Sequence, residues 1–377
     1  MPPSGIRKFF DVASTRKDCI SLGIGEPDFV TPWNIRERAI YAIERGETHY
    51  TSNWGSPKLR LQIAAYLQLR TGVSYAEKEI LVTTGASEAL DLAFRSLLNG
   101  GEEILIPAPS YVSYMPNTIL AGGVPVPLQV VEENKFKITR DLLKAAITKN
   151  TKAIVIPYPN NPTGAIMTKE DLLDIADVIK ENDLIVIADE IYSELTYGRK
   201  HFSIVSIPGM RERTILINGF SKAFAMTGWR LGYVAGPVEI LSAMCKIHQY
   251  TMLCASTISQ AAGYEAIKYE MENDFPQVTE MLIQYDRRRK FIYNSFNEMG
   301  LKCFEAEGAF YVFPNITSTG LSSEEFCSRL LFEKNVACVP GDAFGEAGEG
   351  YIRCSYASSI ENIEEALNRI REFLQEI

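Results

Sequence analysis

The sequence predicts an α/β protein: a large domain whose mostly parallel sheet is sandwiched by helices, and a smaller α/β domain. Three observations predict this. Apolar, β-branched runs alternate with helical patterns from Ile80 onward, as strands of a parallel sheet buried on both faces do. Each run ends in a small or polar loop, where such sheets build their sites. The chain has 377 residues, 46% of them hydrophobic, ample for a large core and long enough for two domains.

Residues 1–30 show little regular pattern. Residues 32–44 read as a helix, Tyr50-Thr51-Ser52-Asn53-Trp54-Gly55 as a polar–aromatic loop, and 57–70 as a helix with proline in its first turn. Then the rhythm begins. The run 80–83 leads into Thr84-Gly85-Ala86-Ser87 and a helix over 88–98. The run 104–106 leads into Pro107-Ala108-Pro109-Ser110-Tyr111. The run 153–156 leads into Pro157-Tyr158-Pro159-Asn160-Asn161-Pro162-Thr163-Gly164, and 184–188 into Asp189-Glu190-Ile191-Tyr192. The run 215–217 ends at Asn218-Gly219, just before Lys222. The spacing is irregular, so this is not a repeat protein. Residues 237–270 are helical and leave the sheet. A helix to Met299, strands near 309–313 and 350–354, and a terminal helix from Ile360 form a second unit. The expected division is an N-terminal arm 1–35 that belongs with the small domain, a large domain 36–279 and a small domain 280–377. No Ser/Gly-rich linker separates them, so close packing is expected.

The net charge is −9, and no basic block stands out, which argues against a nucleic-acid partner. The densest positive run, Arg287-Arg288-Arg289-Lys290, has acidic Asp286 and Glu298 nearby and is expected to coat a solvated helix face. Seven cysteines are scattered without a CxxC pair, as in a reduced, cytoplasmic protein. With three histidines, no metal site is expected. No apolar run approaches membrane-spanning length and no signal-peptide core is evident, so no membrane association is expected.

The strand ends carry the chemistry. Gly85-Ala86-Ser87 opens a helix, where free amides and the helix dipole seat a phosphate; an ordinary serine cap would read the same. Tyr111 can stack on a flat ring or simply pack. Asn161 sits in a rigid turn. Asp189 ends an apolar strand, where a carboxylate needs a cation or several donors. Tyr192 can share the same crevice. Lys222, eight residues before Arg230, is an amine able to form a Schiff base beside a planar fork for phosphate. Singly, each has a bland reading as packing or surface. Together they suit one ligand, a flat phosphorylated pyridine aldehyde. Gly23-Ile24-Gly25 lacks the third glycine of a dinucleotide fingerprint, which argues against a nicotinamide dehydrogenase.

With these residues the chain resembles the fold-type I pyridoxal-phosphate enzymes of the class I/II aminotransferase superfamily, from Gly25-Glu26-Pro27-Asp28 through Arg353. The most specific matches are Asn161-Pro162-Thr163-Gly164, Asp189-Glu190-Ile191-Tyr192, and Ser221-Lys222 followed by Gly228-Trp229-Arg230. The run His248-Gln249-Tyr250 with Cys254-Ala255-Ser256 is similar to the N-acetyl-diaminopimelate aminotransferase subgroup. Aspartate and aromatic aminotransferases share most of these motifs.

The resemblance implies an aminotransferase that moves the amino group between an L-amino acid and a 2-oxo acid, through a Schiff base of pyridoxal 5'-phosphate on Lys222. It implies that Lys222 also shuttles a proton and that Asp189 pairs with the pyridine nitrogen. Asn161 and Tyr192 would hydrogen-bond the ring's 3-oxygen, and Tyr111 would stack on the ring. Gly85, Ala86, Ser87, Ser221 and Arg230 would hold the phosphate within the 36–279 domain. Arg353 would grip the substrate α-carboxylate, with Gly25 and Asn161 beside it. Tyr50 would reach the phosphate of a neighbouring subunit, which implies a homodimer with shared sites.

Many relatives carry serine three positions before the lysine; Gly219 stands there, leaving Ser221 as the hydroxyl donor. The same site can also run a carbon–sulfur β-lyase or another pyridoxal-phosphate reaction. A regulator built on an aminotransferase-like ligand domain would carry an added DNA-binding module, for which the stretch before Ser21 leaves little room. The reader of the substrate side chain stays open; Arg16, Arg36, Lys137 and Tyr158 are candidates for meeting a distal acid.

Overall fold

The computed structural model describes residue 16 and residues 18–377; of the expected arm, 1–15 and 17 lie outside the described residues. The strands in chain order are β1 (Ile20–Ser21), β2 (Ile80–Thr83), β3 (Glu103–Ala108), β4 (Val124–Gln129), β5 (Thr151–Ile156), β6 (Ile185–Asp189), β7 (Thr214–Gly219), β8 (Gly232–Ala235), β9 (Tyr311–Val312), β10 (Val336–Ala337), β11 (Val339–Pro340) and β12 (Ile352–Ser355).

Seven of them form one sheet in the order β2-β8-β7-β6-β5-β3-β4. Neighbours pair in parallel except around β8, which runs antiparallel to both β2 and β7. Alternation along each strand sends residues to opposite faces. Leu105, Ile154 and Val186 therefore pack with Leu172 and Ile175 of the helix Lys169–Glu181. Ile104, Val155 and Ile187 pack with Ala89 and Ala93 of the helix Gly85–Leu97 and with Leu241 of Val238–Thr251. Both faces are covered, which is why the strands read as unbroken apolar runs.

Several elements differ from expectation. The helix expected from residue 88 begins at Gly85, so Gly85-Ala86-Ser87 forms its first turn. Strand β4 is not among the expected runs; it contains Pro125 and Pro127 and lies at the sheet edge, where a missing N–H breaks no ladder. The helical stretch 237–270 is two helices, Val238–Thr251 and Thr257–Glu272, the second capped by Ser256 Oγ accepting from Ser259 N. The run 287–290 is not a wholly solvated face. Arg289 is buried and binds Asp286, Glu305 and the Ala306 carbonyl, as a buried guanidinium requires.

The last third builds a second core. Antiparallel β11-β12-β9 and the parallel pair β1-β10 pack against the helices Pro276–Glu298, Ser323–Lys334 and Ile360–Gln375. Leu22 of the N-terminal stretch joins this core. Among the described residues no helix is long and apolar enough to cross a membrane, and no cluster of three or more His, Cys, Asp or Glu could hold a metal ion.

Candidate active site

Parallel strands bring their carboxyl ends to one edge of the sheet, and the loops there meet around a cavity of about 670 Å³. Ala86 and Ser87 line it after β2, Tyr111 after β3, and Asn161 after β5. Asp189 lines it at the end of β6, with Tyr192 beyond. Ser221 and Lys222 follow β7, and Arg230 precedes β8. Gly25 reaches it from the N-terminal stretch and Arg353 from β12. Gly85 lies just beneath: a Cβ there would come 2.7 Å from Arg230 Nη2. Tyr50 is the exception, 83% exposed and outside the cavity.

Two glycines shape one end. Gly85 has φ +80°, which favours glycine, and a Cβ on Gly232 would sit 2.7 Å from Ala86 N. Strand β8 can therefore touch the start of the helix Gly85–Leu97, whose first-turn amides have no intrahelical acceptor. Arg230 curls over this end, with Nη1 donating to the Thr227 carbonyl at 2.9 Å. Free amides, a helix dipole and a guanidinium converge there, a donor set suited to a phosphate. Gly219 has a packing reason as well. A Cβ there would lie 3.1 Å from the Leu231 carbonyl and 3.2 Å from Gly232 Cα.

Lys222 faces the middle of the cavity, its Nζ donating to the Gly25 carbonyl at 2.5 Å. Burial disfavours the ammonium and pulls its pKa down to about 8; Glu26 opposes this, while Arg353 and Arg230 add to it.

Asp189 is 6% exposed. It accepts from Tyr114 Oη at 2.8 Å and from Ile191 N at 3.2 Å. Burial raises its carboxyl pKa, and these two neutral donors only partly offset that. The site thus presents a buried acid that an added cation would satisfy. Tyr192 Oη and Tyr311 Oη share a hydrogen bond of 2.8 Å, and burial keeps the Tyr192 phenol protonated.

Arg353 closes the third side and is 2% exposed. Its Nη1 donates to Asn161 Oδ1 at 2.9 Å and its Nη2 to the Gly23 carbonyl at 2.6 Å. The guanidinium lies 4.4 Å from the centre of the Tyr311 ring. Its Nε has no partner among the described residues. One side chain thereby joins β12 to the loop after β5 and to the N-terminal stretch.

None of the four candidates for a distal acid lines this cavity. Arg16 binds Asn335, Arg36 covers the Trp33 ring, Lys137 pairs with Asp171, and Tyr158 donates to the Phe136 carbonyl. Conversely, Tyr114, Tyr311, Gly23 and Glu26 belong to the lining, and the sequence assigns none of them a role at the site. Tyr114 had one cue, as an aromatic three positions after Tyr111. The others depend on contacts between distant segments.

Comparison with known proteins agrees with this geometry. The family model for aminotransferase class I and II matches residues 17–370. An aspartate aminotransferase from Pyrococcus abyssi is 50% identical over 99% of this chain and 96% of its own length. An aromatic-amino-acid aminotransferase from Thermococcus litoralis is 46% identical, with 99% of this chain and 96% of its own covered. The crystal structure of an aromatic aminotransferase from Pyrococcus horikoshii superposes with a TM-score of 0.93 at 48% identity, covering 98% of this chain and 99% of that one. A cavity at the sheet's carboxyl edge and a match along nearly the whole chain lead to one conclusion: the chain belongs to the class I and II aminotransferase family and is a transaminase.

Proposed function

We propose that the cavity holds pyridoxal 5'-phosphate on Lys222 and that the enzyme exchanges an amino group between an L-amino acid and a 2-oxo acid. The carrying observation is the position of Lys222. Its amine lies among a glycine-lined anion cradle, a buried acid whose hydrogen bonds come from two neutral donors, and a buried guanidinium with an unpaired Nε. This set fits the cofactor's phosphate, its ring nitrogen and a substrate carboxylate in turn.

Each residue then has a task. Gly85, Ala86, Ser87, Ser221 and Arg230 bind the phosphate. Asp189 holds a proton on the ring nitrogen, and Tyr114 orients Asp189. Asn161 and Tyr192 bond the ring's 3-oxygen, and Tyr111 covers the ring. Arg353, with Gly25 and Asn161, orients the substrate carboxylate. When bound, the cofactor supplies a sink for the electrons left as the substrate Cα loses its proton. Burial lowers the Lys222 pKa to about 8, which brings it nearer neutrality than a solvated lysine, as a group that takes and returns that proton requires. The second core carries Arg353, so the division into 1–35 with 280–377 and 36–279 lets one part close on substrate held by the other.

The proposal includes a homodimer in which Tyr50 reaches the partner's phosphate. Two observations support it. The Tyr50 loop is tied down although its tyrosine is exposed: Gln260 Nε2 donates to Thr51 Oγ1 and Thr257 Oγ1 to the His49 carbonyl. A second cavity of about 750 Å³ shares Thr227 and Arg230 with the first, and so offers an approach to the phosphate end.

The relatives are named for both aspartate and aromatic amino acids, so a donor panel is the test. Purified protein loaded with pyridoxal 5'-phosphate should move amine from at least one of aspartate, glutamate, phenylalanine and tyrosine to a 2-oxo acid, and stop when the cofactor is removed. Ammonia release without amine transfer, or transfer without cofactor, contradicts the proposal.

A further inference from the structure

His248 takes no part in the cavity, yet it is 0% exposed in the last turn of the helix Val238–Thr251. Its Nδ1 lies 2.6 Å from Glu88 Oε1. Glu88 stands in the first turn of the helix Gly85–Leu97, the helix whose amino end forms the anion cradle. Its other oxygen, Oε2, accepts from Thr84 N at 2.5 Å. The proton of this bond is assigned to Nδ1, because a carboxylate accepts. One carboxylate is thus held at both oxygens: by a histidine from another helix, and by the amide just before the cradle.

We propose that His248 is a positioning residue for the phosphate seat: by holding Glu88 it keeps that carboxylate on Thr84 and away from the amides of Ala86 and Ser87. This rests on reading the cradle as a phosphate site. A negative group in a first helical turn is drawn to the free amides there, and those are the amides a phosphate uses. Glu88 directly follows Ser87. Released, its carboxylate would compete for the same donors and repel a dianion. Held on Thr84 N, it satisfies an amide outside the seat. Among the described residues Glu88 is the imidazole's hydrogen-bond partner and Nε2 has none, but the helix end is fixed without that bond. The His248 carbonyl accepts from Met252 N at 2.8 Å and Leu253 N at 3.0 Å, which fixes the helix end independently.

The test titrates cofactor-free protein with pyridoxal 5'-phosphate and, separately, with pyridoxal, which lacks the phosphate, following absorbance. His248→Leu removes the donor; it should weaken pyridoxal 5'-phosphate about tenfold and leave pyridoxal unchanged. His248→Ala carries the same expectation if the leucine variant does not fold. Two changes should restore affinity. His248→Asn places an amide nitrogen near the position of Nδ1. Glu88→Gln, added to His248→Leu, removes the charge but keeps an oxygen for Thr84 N. Unchanged affinity in His248→Leu, equal weakening of both ligands, or failure of either rescue overturns the proposal. If the unsubstituted protein binds neither ligand, the phosphate-site reading falls with it; if it binds and the variants match it, only the role of His248 falls.

Discussion

Replacing Arg353 by lysine keeps the charge and removes the fork. In the structure the guanidinium already spends Nη1 on Asn161 Oδ1 and Nη2 on the Gly23 carbonyl, at 2.9 and 2.6 Å. A lysine ammonium is a point donor on a flexible stem and cannot serve those acceptors and a substrate carboxylate with the same planar geometry. At least one charge-assisted hydrogen bond is lost, worth about 1.5–3 kcal/mol. That converts to roughly 12- to 150-fold in the Kd of the amino acid. The upper part of the range is expected, because Arg353 is 2% exposed and water cannot readily replace the missing partner. The assay is a titration of cofactor-loaded protein with a donor amino acid, with the absorbance recorded before substrate is added. Substrate affinity should fall while that starting spectrum stays the same, since the proposed phosphate contact is Arg230 and not Arg353. Unchanged affinity, or a shifted starting spectrum, refutes the assignment.

Asp189→Asn should still bind cofactor but lose turnover by on the order of 10²-fold or more, since an amide cannot hold a proton on the ring nitrogen; near-normal turnover would remove Asp189 from its role. Tyr50→Phe and Lys222→Ala should each be impaired alone. Their mixture should regain activity, because each heterodimer has one site free of both changes; verified heterodimers that recover nothing contradict site sharing.

The parts of the site that were legible in the sequence are those carried by the strand ends themselves. Thr83, Asp189 and Gly219 each close an apolar run, and a parallel sheet buried on both faces makes such runs unbroken and their ends abrupt. Gly85 and Lys222 follow two of those ends and Asn161 follows the end of β5 at Ile156, so local pattern located them. Gly23 and Tyr311 were not legible in this way. The Gly23 carbonyl meets Arg353 across 330 positions of chain, and Tyr311 gains its place only because β9 packs beside β12. Arg289 misled for the converse reason: it stands in a charged run, but Glu305 and the Ala306 carbonyl meet it from beyond its helix. The break at residues 252–256 was hidden because no proline or glycine marks it; Leu253 adopts φ +68° there without a glycine. From sequence Gly219 is only a missing serine, whereas the close approach of Leu231 and Gly232 gives it a packing role.

The proposed mechanism depends on Lys222 carrying the cofactor. Lys222 is the amine that lines the cavity, with the anion cradle, the buried acid and Arg353 arranged about it. Borohydride reduction of the cofactor-loaded protein, followed by proteolysis and mass mapping, tests this most directly. The pyridoxyl mass should appear on the peptide containing Lys222 and nowhere else, and Lys222→Ala should abolish it. A label on any other lysine, or an undiminished label in Lys222→Ala, would remove Lys222 from this role.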